Sequence, residues 1–109
     1  MKMKDYDIKD KNIILTGATG KLGTEYVKSF AECGAKTICI DVNKQKLDDL
    51  KKKYKDSVTI YEVDITNKNL LLEVSKDLKN NKLPVDGLVN NAAGKQTTIV
   101  DGILTNFEN

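Results

Sequence analysis

The feature that most constrains this sequence is its regular alternation of short apolar runs with longer stretches of helical spacing. Each apolar run is rich in β-branched residues and is bounded by glycine, proline or polar residues, which is typical of a buried strand. The runs lie at residues 12–16, 36–41, 57–63 and 85–90. Strands that alternate with helices of this length predict parallel βαβ units and therefore an α/β sheet.

The stretches between the strands carry apolar residues at helical spacing and have recognisable ends. Gly34 is a stop signal after the first helix, and Asn43 is a candidate cap for the second. The helices are predicted at residues 21–33, 43–54 and 67–80. Right-handed crossovers then favour a partial Rossmann fold, doubly wound, with strand order 3-2-1-4 and a ligand crevice between the first and fourth strands.

The turn after the first strand is rich in glycine and reads TGATGKLG over residues 16–23. At the start of the following helix, backbone N–H groups and the helix dipole favour a pyrophosphate, and glycine lets it approach closely. The spacing G-x-x-G-x-x-G departs from the G-x-G-x-x-G fingerprint, and a merely structural turn is the alternative. The candidate cofactor-binding residues of this loop are Thr16, Gly17, Thr19, Gly20, Lys21, Leu22 and Gly23.

Asp41 closes the second strand, where a carboxylate can accept hydrogen bonds from the ribose hydroxyls of NAD and repel the 2′-phosphate of NADP. The sequence therefore predicts that NAD is preferred over NADP. The absence of arginine also favours NAD, although Lys44 or Lys46 could meet a phosphate. The alternative for Asp41 is a turn or cap residue ahead of Asn43.

Two further polar segments follow the third and fourth strands. Because the carboxyl ends of parallel strands share one edge of the sheet, these segments are expected beside the glycine loop. Taken singly, they would be a capping aspartate and a loop of small residues. The candidate residues are Asp64, Ile65, Asn90, Asn91, Ala92, Ala93 and Gly94.

Taken together, these four signals resemble the short-chain dehydrogenase/reductase family from about Lys11 onward. The resemblance implies that the Thr-Gly-rich loop binds the pyrophosphate, that Asp41 selects NAD and that Asp64 contacts the adenine. It also implies that the Asn-Asn-Ala segment stabilises the sheet and lies along the cofactor. The implied reaction is hydride transfer between a nicotinamide and the alcohol or carbonyl group of a small-molecule substrate.

Two departures from the family pattern leave other functions open. The T-G-x-x-G-x-x-G spacing is more typical of the extended, epimerase-like branch, and NNAAG has one alanine more than NNAG. The alternatives are an NAD-retaining nucleotide-sugar epimerase or dehydratase, and a nucleotide-binding module without catalytic activity.

The family's Tyr-x-x-x-Lys pair, in which the lysine lowers the pKa of the tyrosine, has no match in this chain. None of the four tyrosines has a lysine four positions later, so no catalytic residue is assigned. Residues 1–109 are therefore expected to be the amino-terminal, cofactor-binding half of a domain, truncated before its catalytic segment. The fourth strand would then be an exposed edge, which predicts marginal stability or self-association for the isolated chain. The full-length protein is expected to be a homo-oligomer.

Charge and composition exclude several other functions. All 18 basic residues are lysines and the net charge is +2, which argues against a nucleic-acid partner and makes the lysines of residues 51–55 a solvated helix end. With no histidine and with two cysteines that lack ligand spacing, a metal site is not expected. The chain also lacks an apolar run long enough for a membrane span and a signal peptide, which predicts a cytoplasmic protein.

Overall fold

The structure, a computed structural model, describes residues 8–92. Strands and helices alternate along that part of the chain, with a short 3₁₀ turn at Lys55–Ser57. In chain order the elements are β1 (Asn12–Thr16), α1 (Lys21–Glu32), β2 (Lys36–Asp41), α2 (Lys44–Tyr54), β3 (Val58–Glu62), α3 (Lys68–Asn80) and β4 (Gly87–Asn90). This is the α/β alternation that the sequence predicts.

The four strands form one parallel sheet in the order β3-β2-β1-β4, which confirms the predicted topology. Thr16 at the end of β1 is in register with Ile40 of β2 and Asn90 of β4. Asp41 at the end of β2 is in register with Glu62 of β3. The carboxyl ends of all four strands therefore meet at one edge of the sheet.

Alternate residues of the central strands pack against helices on opposite faces of the sheet. On one face, Leu15 and Cys39 are fully buried under α1 and α2, which contribute Val27, Leu47 and Leu50. On the other face, α3 covers the strands with its own apolar stripe. The buried residues of that second cluster are Ile14, Ile38, Ile40, Val63, Ile65, Leu71, Val74 and Leu78.

The two outer strands are shorter than predicted. β4 begins at Gly87 rather than at residue 85, since the carboxylate of Asp86 accepts the N–H of Asn12 at 2.8 Å in place of a backbone carbonyl. β3 begins at Val58 because the preceding residue belongs to the 3₁₀ turn, and it ends at Glu62. The predicted first helix is one residue too long, because Cys33 serves as its C-cap.

Both cysteines are buried, Cys33 at the end of α1 and Cys39 within β2. Burial, together with the nearby charge of Asp41, raises the pKa of the Cys39 thiol to about 12. A thiol with so high a pKa carries no nucleophilic thiolate at neutral pH. Cys39 therefore packs the core as a neutral thiol.

Candidate functional site

Two glycines of the loop are required by packing within the protein. Gly17 has a φ of +66°, and a Cβ placed there would lie 3.0 Å from the Cα and N atoms of Ala92. A Cβ on Gly23 would lie 2.1 Å from the carbonyl oxygen of Gly17, because the first turn of α1 is stacked directly on the loop. The absence of a side chain at Gly17 and Gly23 therefore allows the loop to pack closely against α1 and against the segment after β4.

Gly20 differs from these two glycines. It has a φ of −74°, which any residue adopts, and it is exposed at the start of α1. A Cβ built on it would meet the Gly17 carbonyl oxygen at an ordinary 3.5 Å. Folding therefore does not require glycine at this position, whereas close approach of a ligand to the backbone would.

The start of α1 is open within the described part of the chain. Gly20 supplies no side-chain cap, and the first turn holds no acidic residue. The N–H groups of Lys21, Leu22 and Gly23 are thus among those that an α-helix leaves without an intrahelical partner, at the positive end of its dipole. Such an end binds an anion such as a phosphate group.

Thr16 joins the end of β1 to the segment after β4. Its buried hydroxyl donates to Oδ1 of Asn90 at 3.0 Å and accepts the backbone N–H groups of Asn91 at 3.1 Å and Ala92 at 3.2 Å. The Asn91 side chain in turn donates to the Gly17 carbonyl oxygen at 3.2 Å. These contacts place the Asn-Asn-Ala segment against the glycine loop. Ala93 and Gly94, also candidate residues, lie outside the described residues.

The carboxylate of Asp41 points from β2 to the glycine loop. Its Oδ2 atom accepts the backbone N–H of Thr19 at 2.9 Å and the Thr19 hydroxyl at 2.7 Å, while Oδ1 accepts the N–H of Val42 at 2.7 Å. Partial burial alone would raise the pKa of Asp41. The hydrogen bonds from Thr19 and Val42 outweigh burial, with a further contribution from the Lys46 charge, and lower that pKa below its ordinary value. The group is therefore a carboxylate at neutral pH.

Asp64 is fully exposed after β3. Its Oδ1 atom accepts the backbone N–H of Thr66 at 2.9 Å and the Thr66 hydroxyl at 2.7 Å. These two hydrogen bonds lower the pKa of Asp64. The turn holds one oxygen of an ionised carboxylate in place, and the neighbouring Ile65 side chain is buried.

A groove of about 290 Å³ runs along the carboxyl edge of the sheet. It brings together five of the predicted residues: Gly17, Asp41, Asp64, Ile65 and Ala92. The other loop candidates from Thr19 to Gly23 do not line this groove and lie at the start of α1. Asp41 connects the two regions, because it lines the groove and its carboxylate accepts the N–H of Thr19 ahead of α1.

Sequence reasoning missed four residues of the groove. They are Ile40, Val42, Val63 and Thr66. Val42 is 58% exposed and lines the groove beside Asp41. The signal that could have identified it is an apolar residue in a polar turn, between Asp41 and the cap residue Asn43.

Within residues 8–92, no tyrosine is followed by a lysine four positions later. Tyr61 donates a hydrogen bond to Asp77, and burial together with that bond raises the pKa of its phenol, the opposite of what a catalytic tyrosine needs. The same residues hold no group of His, Cys, Asp and Glu that could bind a metal ion. Nor does the described region include a helix of sufficient length and apolarity to cross a membrane.

A parallel sheet with a glycine loop at its first crossover, an acidic residue after β2 and a groove along its carboxyl edge defines a Rossmann-type dinucleotide-binding unit. The sequence model of the short chain dehydrogenase family matches residues 11–107. The chain therefore belongs to the short-chain dehydrogenase family, as the motifs predict.

Individual relatives agree with this assignment. The chain is 32% identical to an NAD-dependent glycerol dehydrogenase of Listeria innocua over 82% of its own length and 35% of that protein. It superposes on a short chain dehydrogenase from Bacillus anthracis with a TM-score of 0.72 and 26% identity, covering 79% of this chain and 36% of that one. For the closed form of a serine dehydrogenase complexed with NADP⁺ the TM-score is 0.71 and the identity 29%, over 75% of this chain and 33% of that one. The chain thus spans about a third of the length of these relatives.

Proposed function

We propose that this chain is the NAD-binding portion of a short-chain dehydrogenase that transfers hydride between a nicotinamide and an alcohol or carbonyl substrate. The observation that carries the proposal is the open start of α1 at Gly20, where folding leaves room for a ligand, next to the ionised carboxylate of Asp41. Family membership gives the reaction class. Bound NAD would supply the hydride acceptor, and the residues described above would hold it.

The start of α1 fits the pyrophosphate. Its unpaired N–H groups at Lys21, Leu22 and Gly23 would donate to the phosphate oxygens, and the missing side chain of Gly20 would admit them. The Lys21 ammonium adds a positive charge at the same helix end. Thr16 would act indirectly, because its hydroxyl already makes three hydrogen bonds within the protein.

The groove along the carboxyl edge fits the adenosine. Asp41 would accept a ribose hydroxyl, and the exposed Val42 side chain and Ile65 would provide apolar contact for the purine. Asp64 keeps its second oxygen available for the exocyclic amine of adenine. Asn90 and Asn91, together with Ala92, Ala93 and Gly94, would continue along the cofactor toward the nicotinamide.

The chain's own residues support a preference for NAD over NADP. The low pKa of Asp41 keeps it ionised at neutral pH, so that it would repel the additional phosphate of NADP. The relatives differ on this point, since the Listeria protein is named as NAD-dependent whereas the serine dehydrogenase structure contains NADP⁺. Support for the preference therefore comes from the Asp41 carboxylate itself.

We also propose that residues 1–109 correspond to the amino-terminal half of a longer domain, whose other half supplies the catalytic residues and the substrate site. The family match and the coverage of about a third of each relative support this. The relatives named above are dehydrogenases and do not favour the epimerase alternative. A homo-oligomeric assembly and a cytoplasmic location stay predictions.

The test is a calorimetric titration of this chain with NAD and, separately, with NADP, after confirming that it melts cooperatively. We expect NAD to bind and NADP to bind more weakly. Asp41→Ala should weaken NAD binding by about 1.5–3 kcal/mol, the size of a hydrogen bond to a charged group, and should reduce the discrimination against NADP. A folded chain that ignores both cofactors would refute the proposed function, and an unchanged preference in Asp41→Ala would refute the role of Asp41.

A further inference from the structure

We infer that Thr19 is the positioning residue for cofactor selection, because it fixes the orientation of the Asp41 carboxylate toward the adenine ribose. This inference rests on the proposed function. Thr19 lies in the glycine loop and Asp41 at the end of β2, and the two are 22 residues apart in sequence. The contact is therefore made by the fold.

The hydrogen bonds between the two residues define one orientation of the carboxylate. The N–H and the hydroxyl of Thr19 converge on the same oxygen, Oδ2, at 2.9 and 2.7 Å. The other oxygen, Oδ1, accepts the Val42 N–H at 2.7 Å. Thr19 is 9% exposed, so water has little access to compete for its hydroxyl.

The distribution of these hydrogen bonds decides what the carboxylate can still accept. Each carboxylate oxygen has about two lone-pair sites. Thr19 fills both sites of Oδ2, which leaves one site on Oδ1 for a ribose hydroxyl. A single acceptor at a fixed position selects a ligand by geometry as well as by charge, because the orientation is established before the ligand arrives.

Removal of the Thr19 hydroxyl should release this orientation while the charge remains. In Thr19→Val the backbone N–H still reaches Oδ2, but the second bond is lost and the carboxylate can rotate away from the ribose. NAD should then bind more weakly, and NADP should be excluded less effectively. Asp41 would still be present and ionised, so this effect separates the position of the charge from its existence.

The experiment measures NAD and NADP affinities of the 109-residue chain by calorimetry for the wild type and five variants. Thr19→Val should reduce the ratio of NAD to NADP affinity by about three- to tenfold, the scale of one ordinary hydrogen bond. Thr19→Ser restores a hydroxyl and should restore the ratio. Thr24→Val is the matched control, because the Thr24 hydroxyl donates to the Lys21 carbonyl oxygen within α1 and should leave the ratio unchanged. In an Asp41→Ala background, Thr19→Val should have no further effect on the ratio.

The outcomes separate this inference from the proposed function. If the wild-type chain selects NAD and Thr19→Val keeps the same ratio, with or without a lower melting temperature, the positioning role is wrong and the proposed function stands. A further change of the ratio in the Asp41→Ala background would also overturn it. If the folded wild-type chain binds neither cofactor, both fail together. Should Thr19→Val not melt cooperatively, Thr19→Ala removes the hydroxyl without adding a methyl group at its position and carries the same test.

Discussion

The first turn of each helix has backbone N–H groups without an intrahelical partner, and the start of α1 differs from the starts of α2 and α3 in how these groups are satisfied. All three helices begin with a lysine, Lys21, Lys44 and Lys68, which the positive end of the helix dipole disfavours. The start of α2 is capped by Asn43, whose Oδ1 accepts the Lys46 N–H at 3.0 Å, and the start of α3 by Asn67 in the same way.

The start of α1 has glycine where the other two have asparagine. Since the first residue of each helix is the same, the cap is the feature that distinguishes them. A side-chain cap satisfies one N–H group of the first turn and stabilises the helix by about 1 kcal/mol. An uncapped start gives up that stabilisation and keeps its donors for a ligand. This difference supports the proposal that the start of α1 binds a ligand, whereas the starts of α2 and α3 are stabilised by their own asparagine caps.

The largest effect is expected where the loop is required by packing. Gly23→Ala would force a Cβ against the Gly17 carbonyl oxygen at 2.1 Å, which backbone rearrangement has to relieve. We expect a loss of about 3 kcal/mol in the free energy of unfolding, the upper range for overpacking, measured by chemical denaturation. Gly87→Ala is the control, because its Cβ would meet Ile13 at 3.9 Å, and it should keep wild-type stability. Equal stabilities of the two variants would contradict the close stacking of α1 on the loop.

The next effect separates binding from folding at Gly20. Gly20→Val places a branched side chain where the pyrophosphate would approach, so NAD affinity should fall by about 2 kcal/mol, roughly thirtyfold. The melting temperature should change little, since a Cβ fits there. Gly87→Val, the same substitution at the opposite end of the sheet, should leave NAD affinity unaltered. If Gly20→Val bound NAD with wild-type affinity, the proposed binding of the pyrophosphate at this loop would be wrong.

The smallest effect is expected at a capped start. Asn67→Ala deletes the acceptor of the Leu70 N–H and should lower the free energy of unfolding by about 1 kcal/mol, without a change in NAD affinity. Asn69→Ala, inside the same helix, is the control and should not destabilise the protein, because alanine is the better helix former. If Asn67→Ala weakened NAD binding as strongly as Gly20→Val, the claim that NAD binds at the start of α1 and not at the start of α3 would be contradicted.

The sequence predicts the central strands better than the outer ones. The bounds of β1 and β2 agree with prediction, because each pairs with strands on both sides and is an apolar run of distinct length. The bounds of β3 and β4 do not, since each is the last strand of the described sheet on its side. The start of β4 is set by the hydrogen bond from the Asn12 N–H to the Asp86 carboxylate. Hydrophobic periodicity does not reveal such a contact.

The candidate site shows the same division. Asp41 and Asp64 could be placed at the carboxyl edge because parallel strands bring their ends together. The two hydrogen bonds from Thr19 to Asp41 could not be predicted, because they depend on how the glycine loop folds back over the end of β2. The sequence likewise does not distinguish Gly20, where a Cβ would fit, from Gly23, where a Cβ would clash with the Gly17 carbonyl oxygen. This difference depends on how the first turn of α1 packs on the loop.

The most direct test of the contrast between the helix starts is a titration of the isotope-labelled chain with NAD, followed through its backbone amide resonances. The account predicts the largest shifts at the amides of Lys21, Leu22 and Gly23, with smaller shifts at the first turns of α2 and α3, which follow the groove residues Val42 and Thr66. Comparable shifts at all three helix starts, or larger shifts at Lys46 or Leu70 than in α1, would contradict it.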